Sequence, residues 1–249
     1  TALNSGPAEY ANLGDVAMLQ TGVRRLQRLW PTANIDVLTE SPAKLALFCP
    51  GAKPLPREGR NLWVGENAIL GGFDRLLPRS ASVGFSGFNT ACRLRYPKTF
   101  RLLTELRLAV RDRGNVKPSV NAFLVAMKQA DLFVVCGAGG FTDAAHSWNV
   151  LTLNTLEEVI QRKVPVVLFG QGMGPLSDPN ILDRARKVLP KITLLTLRGG
   201  RGGLTLAQSL GLNPSQILTT GDEAIELAYE AKTCQAGQAV GIPLRVASY

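Results

Sequence analysis

Arg198 directly follows the apolar run 192–197, so its guanidinium stands at the end of an expected strand. A planar fork fixed there suits bidentate recognition of a carboxylate or phosphate. A salt-bridged surface arginine is the competing reading, and Arg201 is either its helper or solvated. His146, the one histidine in the chain, is the side chain that ordinarily titrates near neutrality. It lies three residues past Asp143 in the turn closing another apolar run, 131–136. A general acid/base or anion contact competes there with a packed or solvent-facing imidazole. Asp15, Asp143 and Asp222 are candidates for contacts with sugar hydroxyls, with helix capping as the alternative for each.

These residues fall at four strand ends rich in glycine or polar groups: 12–15, 137–143, 170–174 and 198–203. Parallel strands would gather all four along one edge, where free N–H groups of helix N-termini seat phosphate or carboxylate. Asn12, Gly14, Gly137, Gly139, Gly140 and Gly172 are therefore candidate substrate contacts beside the three aspartates. Gly137-Ala138-Gly139-Gly140 lacks the third glycine of a dinucleotide fingerprint, and no GxxxxGK[ST] occurs, which disfavours nicotinamide and ATP sites.

The four cysteines form no CxxC pair, and with one histidine they offer no zinc site of usual spacing. We expect no metal and no cofactor, and a reduced cytoplasmic setting. Composition is that of an ordinary globular protein, 45% hydrophobic and 19% charged. The net charge is +9, with 19 Arg among the 28 basic residues. An acidic partner, or a basic protein background, would account for it. Nucleic acid is not expected, because the basic residues are not interleaved with stacking aromatics. No apolar run approaches the roughly 18–20 residues that span a bilayer.

The elements that must hold these residues alternate. Helices are expected at 12–29 with Asp15 as cap, 99–113 with Phe100, Leu103, Leu106 and Val110 as its core stripe, 118–127, 148–161, 179–189, 204–210 and 223–231. Strands are expected at 35–38, 45–48, 131–136, 164–170, 192–197, 217–219 and 240–246, with 1–3 the tail of another. Residues 50–60 read as an irregular connection, and 71–97, including Arg93 and Arg95, as a mobile loop or lid. This order argues for an α/β, Rossmann-like, doubly wound and mainly parallel sheet. Residues 1–232 would form that domain, and 233–249 a linker and the first strand of a second one.

Asn12-Leu13-Gly14-Asp15, the run 131–143, Gly170-Gln171-Gly172-Met173-Gly174-Pro175-Leu176, Thr196-Leu197-Arg198 and Thr220-Gly221-Asp222-Glu223-Ala224 together resemble the polysaccharide pyruvyl transferase family in order and rough spacing. Ala138 departs from an expected glycine, and 199–203 from a more acidic, serine-containing helix start. The resemblance implies the first half of a two-domain, cleft-type (GT-B-like) transferase working in the cytoplasm or at the inner face of the membrane. Its donor would be phosphoenolpyruvate and its acceptor a cell-wall or exopolysaccharide sugar, free or lipid-linked. The product would be a pyruvate ketal with release of phosphate. Arg198 matches the family's arginine after this strand, and His146 is the candidate acid/base. Arg245, on the last expected strand, would be a second cation. Peripheral membrane contact and a homo-oligomer are compatible with this reading. The alternatives are a nucleotide-sugar glycosyltransferase and a non-catalytic anion- or polysaccharide-binding module.

Overall fold

The structure is a computed structural model that describes residues 2–5, 10, 12–65, 91–93, 95–96, 98–100, 102–104, 106, 116–137 and 140–230. Seven parallel strands form one sheet in the order β3-β2-β1-β4-β5-β6-β7. They are β1 (Ala2–Ser5), β2 (Ile35–Thr39), β3 (Lys53–Pro56), β4 (Leu132–Cys136), β5 (Val166–Gln171), β6 (Leu194–Leu197) and β7 (Ile217–Thr219). The helices are α1 (Leu13–Leu29), α2 (Pro42–Phe48), α3 (Arg57–Val64), α4 (Val116–Gln129), α5 (His146–Gln161), α6 (Pro179–Val188), α7 (Arg201–Ser209) and α8 (Ala224–Glu230).

Strand periodicity divides the core in two. Val134 and Cys136 point into a cluster with Val16, Leu19 and Val23 of α1 and Leu45 of α2. Phe133 and Val135 point the other way, into a cluster with Trp63 of α3, Phe123 of α4, Leu153 of α5, Ala185 of α6 and Ala207 of α7. Alternate residues of a strand face opposite sides, so burial on both faces makes the strand apolar throughout. The doubly wound architecture is that expected. Chain direction across the sheet reverses between β1 and β4, which places a ligand crevice outside their carboxyl ends.

Five expectations fail in whole or in part. Residues 45–48 are the end of α2, not a strand: Pro42 occupies the first turn, where its missing N–H costs nothing, and Leu45 is buried against α1. The stretch 50–60 is β3 and the start of α3. Pro54 and Pro56 are tolerated because β3 is an edge strand. The side chain that caps α1 is Asn12, not Asp15. Of the stripe over 99–113, Phe100 is buried edge-to-face on Trp63, whereas Leu103 and Leu106 are exposed. Residues 91–93 and 95 of the expected loop are helical, and Arg93 is buried against Glu158. Val110, the rest of the loop up to residue 90, Gly139, the strand 240–246, Arg245 and the segment 233–249 lie outside the described residues.

Candidate functional site

The carboxyl edge carries three groups of contacts. At the start of α1, Asn12 Oδ1 accepts the Gly14 amide at 3.1 Å while its Nδ2 donates to Asp15 Oδ2 at 3.0 Å. Gly14 is exposed beside them. This helix start lies next to the reversal between β1 and β4.

A second group is built by the extension of β4 alongside β5. Phe141 bridges Met173 in parallel, the Gly174 amide donates to the Phe141 carbonyl, and the Asp143 amide donates to that of Pro175. Asp143 then receives the Ser177 amide at 2.7 Å and the Ser177 hydroxyl at 2.8 Å. Those bonds hold its carboxyl below the usual range. Next to it, Asp178 caps α6 through Oδ1 and faces His146 Nδ1 with Oδ2 at 3.2 Å. His146 opens α5 with its side chain 56% exposed. An imidazole oriented by a carboxylate and open to solvent has the form of a proton-transfer pair. Gly140 packs under the Trp148 ring, with no room for a side chain.

The third group is formed by α1, β4, β6 and β7. Arg198 Nη1 lies 3.7 Å from Asp222 Oδ2 and 3.8 Å from Met18 Sδ of α1, with a third of the side chain exposed. A Cβ on Gly137 would stand 2.6 Å from Met18 Sδ and 2.7 Å from the Gly170 carbonyl. Glycine there lets the β4 turn close onto α1 and β5. Asp222 also caps α8, accepting the Ala224 amide at 3.0 Å. Gly172, half-buried, follows β5 nearby in sequence. Among the described residues no contact joins Arg198 to His146. The sequence candidates therefore divide into an arginine cluster and a histidine cluster.

Glu223 was missed by sequence reading, although it stands within the Thr220-Gly221-Asp222-Glu223-Ala224 motif. It is 3% exposed. Its Oε1 takes the Thr220 hydroxyl at 3.2 Å and lies 3.4 Å from that of Thr196, whose oxygen accepts the Gly170 amide. Thr21 of α1 donates to its backbone carbonyl. Burial pushes its carboxyl up, and Oε2 has no hydrogen-bond partner among the described residues. Gly170, at φ +63°, cannot carry a side chain because Glu223 occupies that space. Glu223 thus anchors the turn that presents Asp222 to Arg198. Only a carboxylate set one residue past a strand-end aspartate could have signalled it.

Among the described residues no group of three or more His, Cys, Asp or Glu side chains could hold a metal ion. None of their helices is long and apolar enough to cross a membrane.

A doubly wound parallel sheet whose carboxyl edge presents a cation, carboxylates and helix starts at a reversal of strand order is a Rossmann-like ligand-binding unit. The family model of polysaccharide pyruvyl transferases matches residues 12–233, and the chain belongs to that family. No curated protein and no solved structure matches it. Membership makes the chain a transferase of polysaccharide biosynthesis, acting in the transfer of pyruvyl groups to a polysaccharide.

Proposed function

We propose that the protein transfers the pyruvyl group of phosphoenolpyruvate to two hydroxyls of a polysaccharide sugar, forming a cyclic ketal and releasing phosphate. The observation that carries this reading is Arg198, a partly exposed guanidinium at the end of β6 whose only ion-pair partner among the described residues is 3.7 Å away. An anion can displace so loose a pair. Arg198 would hold the donor's phosphate or carboxylate, with Asp222 orienting the fork. No cofactor is invoked.

The chemistry proceeds by protonation at the donor's methylene carbon, which leaves a cation at C2. A sugar hydroxyl adds there and loses its proton. The C2–O bond to phosphate then breaks, and a second hydroxyl closes the ring with loss of its own proton. Of the two protons released, one balances the proton taken up by the methyl group and the other leaves with phosphate. His146, set by Asp178, is the group proposed to handle these protons. Asn12, Gly14, Asp15 and Asp143 are proposed to shape the acceptor side.

The test is phosphate release by the full-length protein with phosphoenolpyruvate and a pyruvylatable glycan, with mass spectrometry of the glycan. We expect release coupled to ketal formation. Arg198→Ala should lower turnover about a hundredfold or more, the scale of losing one stabilising donor. Release without dependence on the glycan, or unchanged activity in Arg198→Ala, would overturn the reading.

A further inference from the structure

On the same edge, four to five strand spacings from Arg198, a cavity of about 640 Å³ opens at the carboxyl ends of β2 and β3. At nearly 5 Å per strand this is roughly 20 Å, too far for one small donor to bridge. Thr39, Glu40, Pro56, Arg57, Glu58 and Asn61 line it.

Arg57 stands on its wall, and Arg60 follows it three residues on along α3, outside the lining. Arg57 is 8% exposed and Arg60 2% exposed, yet neither lies within ion-pair distance of a carboxylate among the described residues. Arg60 donates through Nε and Nη2 to Asn61 Oδ1, a neutral acceptor, at 3.1 and 2.7 Å. Arg57 Nη1 is buried with no hydrogen-bond partner among the described residues. Burial lowers the pKa of both guanidiniums, that of Arg60 to about 9 with the neighbouring Arg57 adding to the fall; Glu40 opposes it from a distance. Two buried cations with no ion pair among the described residues are costly, and such groups are normally paired or ligand-bound. The α3 N-terminus beside them carries no side-chain cap.

We infer that this cavity is a second anion site, built on Arg57 with the neighbouring Arg60 adding to its positive potential, for the phosphate or diphosphate group of the acceptor substrate. A doubly charged group matches two guanidiniums better than a single carboxylate does. The assignment rests on the proposed transfer reaction only for the word acceptor; the site itself does not depend on it. Glu40 and Glu58, on the cavity wall, oppose anion entry and set the affinity.

Calorimetric titration of the full-length protein with inorganic diphosphate tests the inference. Arg198→Ala should retain a binding event that Arg57→Met weakens about tenfold or more, as losing a charged hydrogen-bond donor does. Glu40→Gln, at an exposed position, should tighten it severalfold and keeps the test decisive if Arg57→Met fails to fold. Competition by glucose 1-phosphate would identify a sugar phosphate as the source, and competition by farnesyl diphosphate alone a lipid-linked diphosphate. Diphosphate binding that ignores both Arg57→Met and Glu40→Gln, or no binding, overturns the site. Phosphate release from phosphoenolpyruvate is measured separately, so binding without release would fail the transfer reading and leave the site standing.

Discussion

Glu223 is a carboxyl group taken almost entirely out of water, with one oxygen served by Thr220 and Thr196 and the other by no hydrogen-bond donor among the described residues. Its folded pKa is raised by burial, so folding favours the protonated form. The stability this provides is complete below the ordinary carboxyl range and is lost as pH rises through the raised value. Glu223→Gln, neutral at every pH, should therefore gain stability relative to the wild type as pH increases, read from urea midpoints at several pH values. A parallel pair of curves would show that the carboxyl is not raised. Asp143 should behave oppositely. Its depressed pKa contributes stability above the ordinary carboxyl range that is lost as pH falls through the lowered value, and Asp143→Asn should abolish that acid-side slope. At this scale the sequence was readable where place follows from pattern, as for Arg198 at the end of β6, directly after an apolar run. Glu223 escaped because burial of a charged residue comes from packing between α1, β5 and β6, which no local pattern encodes. The Arg57 and Arg60 pair escaped for the same reason, hidden in a stretch that read as irregular.

Two of the sets of ion pairs that join elements differ in burial, and burial decides which one matters. Arg24, Arg25 and Arg28 of α1 meet Glu226 and Glu230 of α8, with side chains 25–62% exposed. Exposed pairs are screened and contribute little. Glu230→Ala should cost less than about 1 kcal/mol. Glu158 of α5, in contrast, is buried between Arg93 at 3.2 Å and Arg162. Removing its carboxylate strands the buried Arg93, so Glu158→Ala should cost about 3–5 kcal/mol in denaturant unfolding. This contact also fixes the helical residues 91–93 to the body of the domain. The long helices α1 and α5 were legible because their apolar stripes repeat at helical spacing. The seven-residue α2 and four-residue β3 were not: both are too short for periodicity to show, and their type is set by Pro42 and by the position of β3 at the sheet edge.

For the molecule as a whole, protection should follow strand position. β4 and β5 lie inside the sheet with helices over both faces, whereas β3 and β7 are edges with mostly exposed residues. Hydrogen exchange should be slowest in 132–136 and 166–169 and much faster in 53–56 and 217–219. Comparable rates across the sheet would contradict the topology. The fold class was legible from the alternation of elements, but the strand order was not. It depends on β1 pairing with β2 on one side and, on the other, with β4, whose Leu132 sits opposite Ala2. That pairing has a consequence in time. A chain made from its N-terminus must complete some 130 further residues before β1 finds its second neighbour. Thr21 waits for Glu223, 202 positions on. The arginine cluster can therefore assemble only after β7 and the turn at 220–223 have been made, and nascent chains ending before β4 should hold β1 half-paired and depend on protection from aggregation.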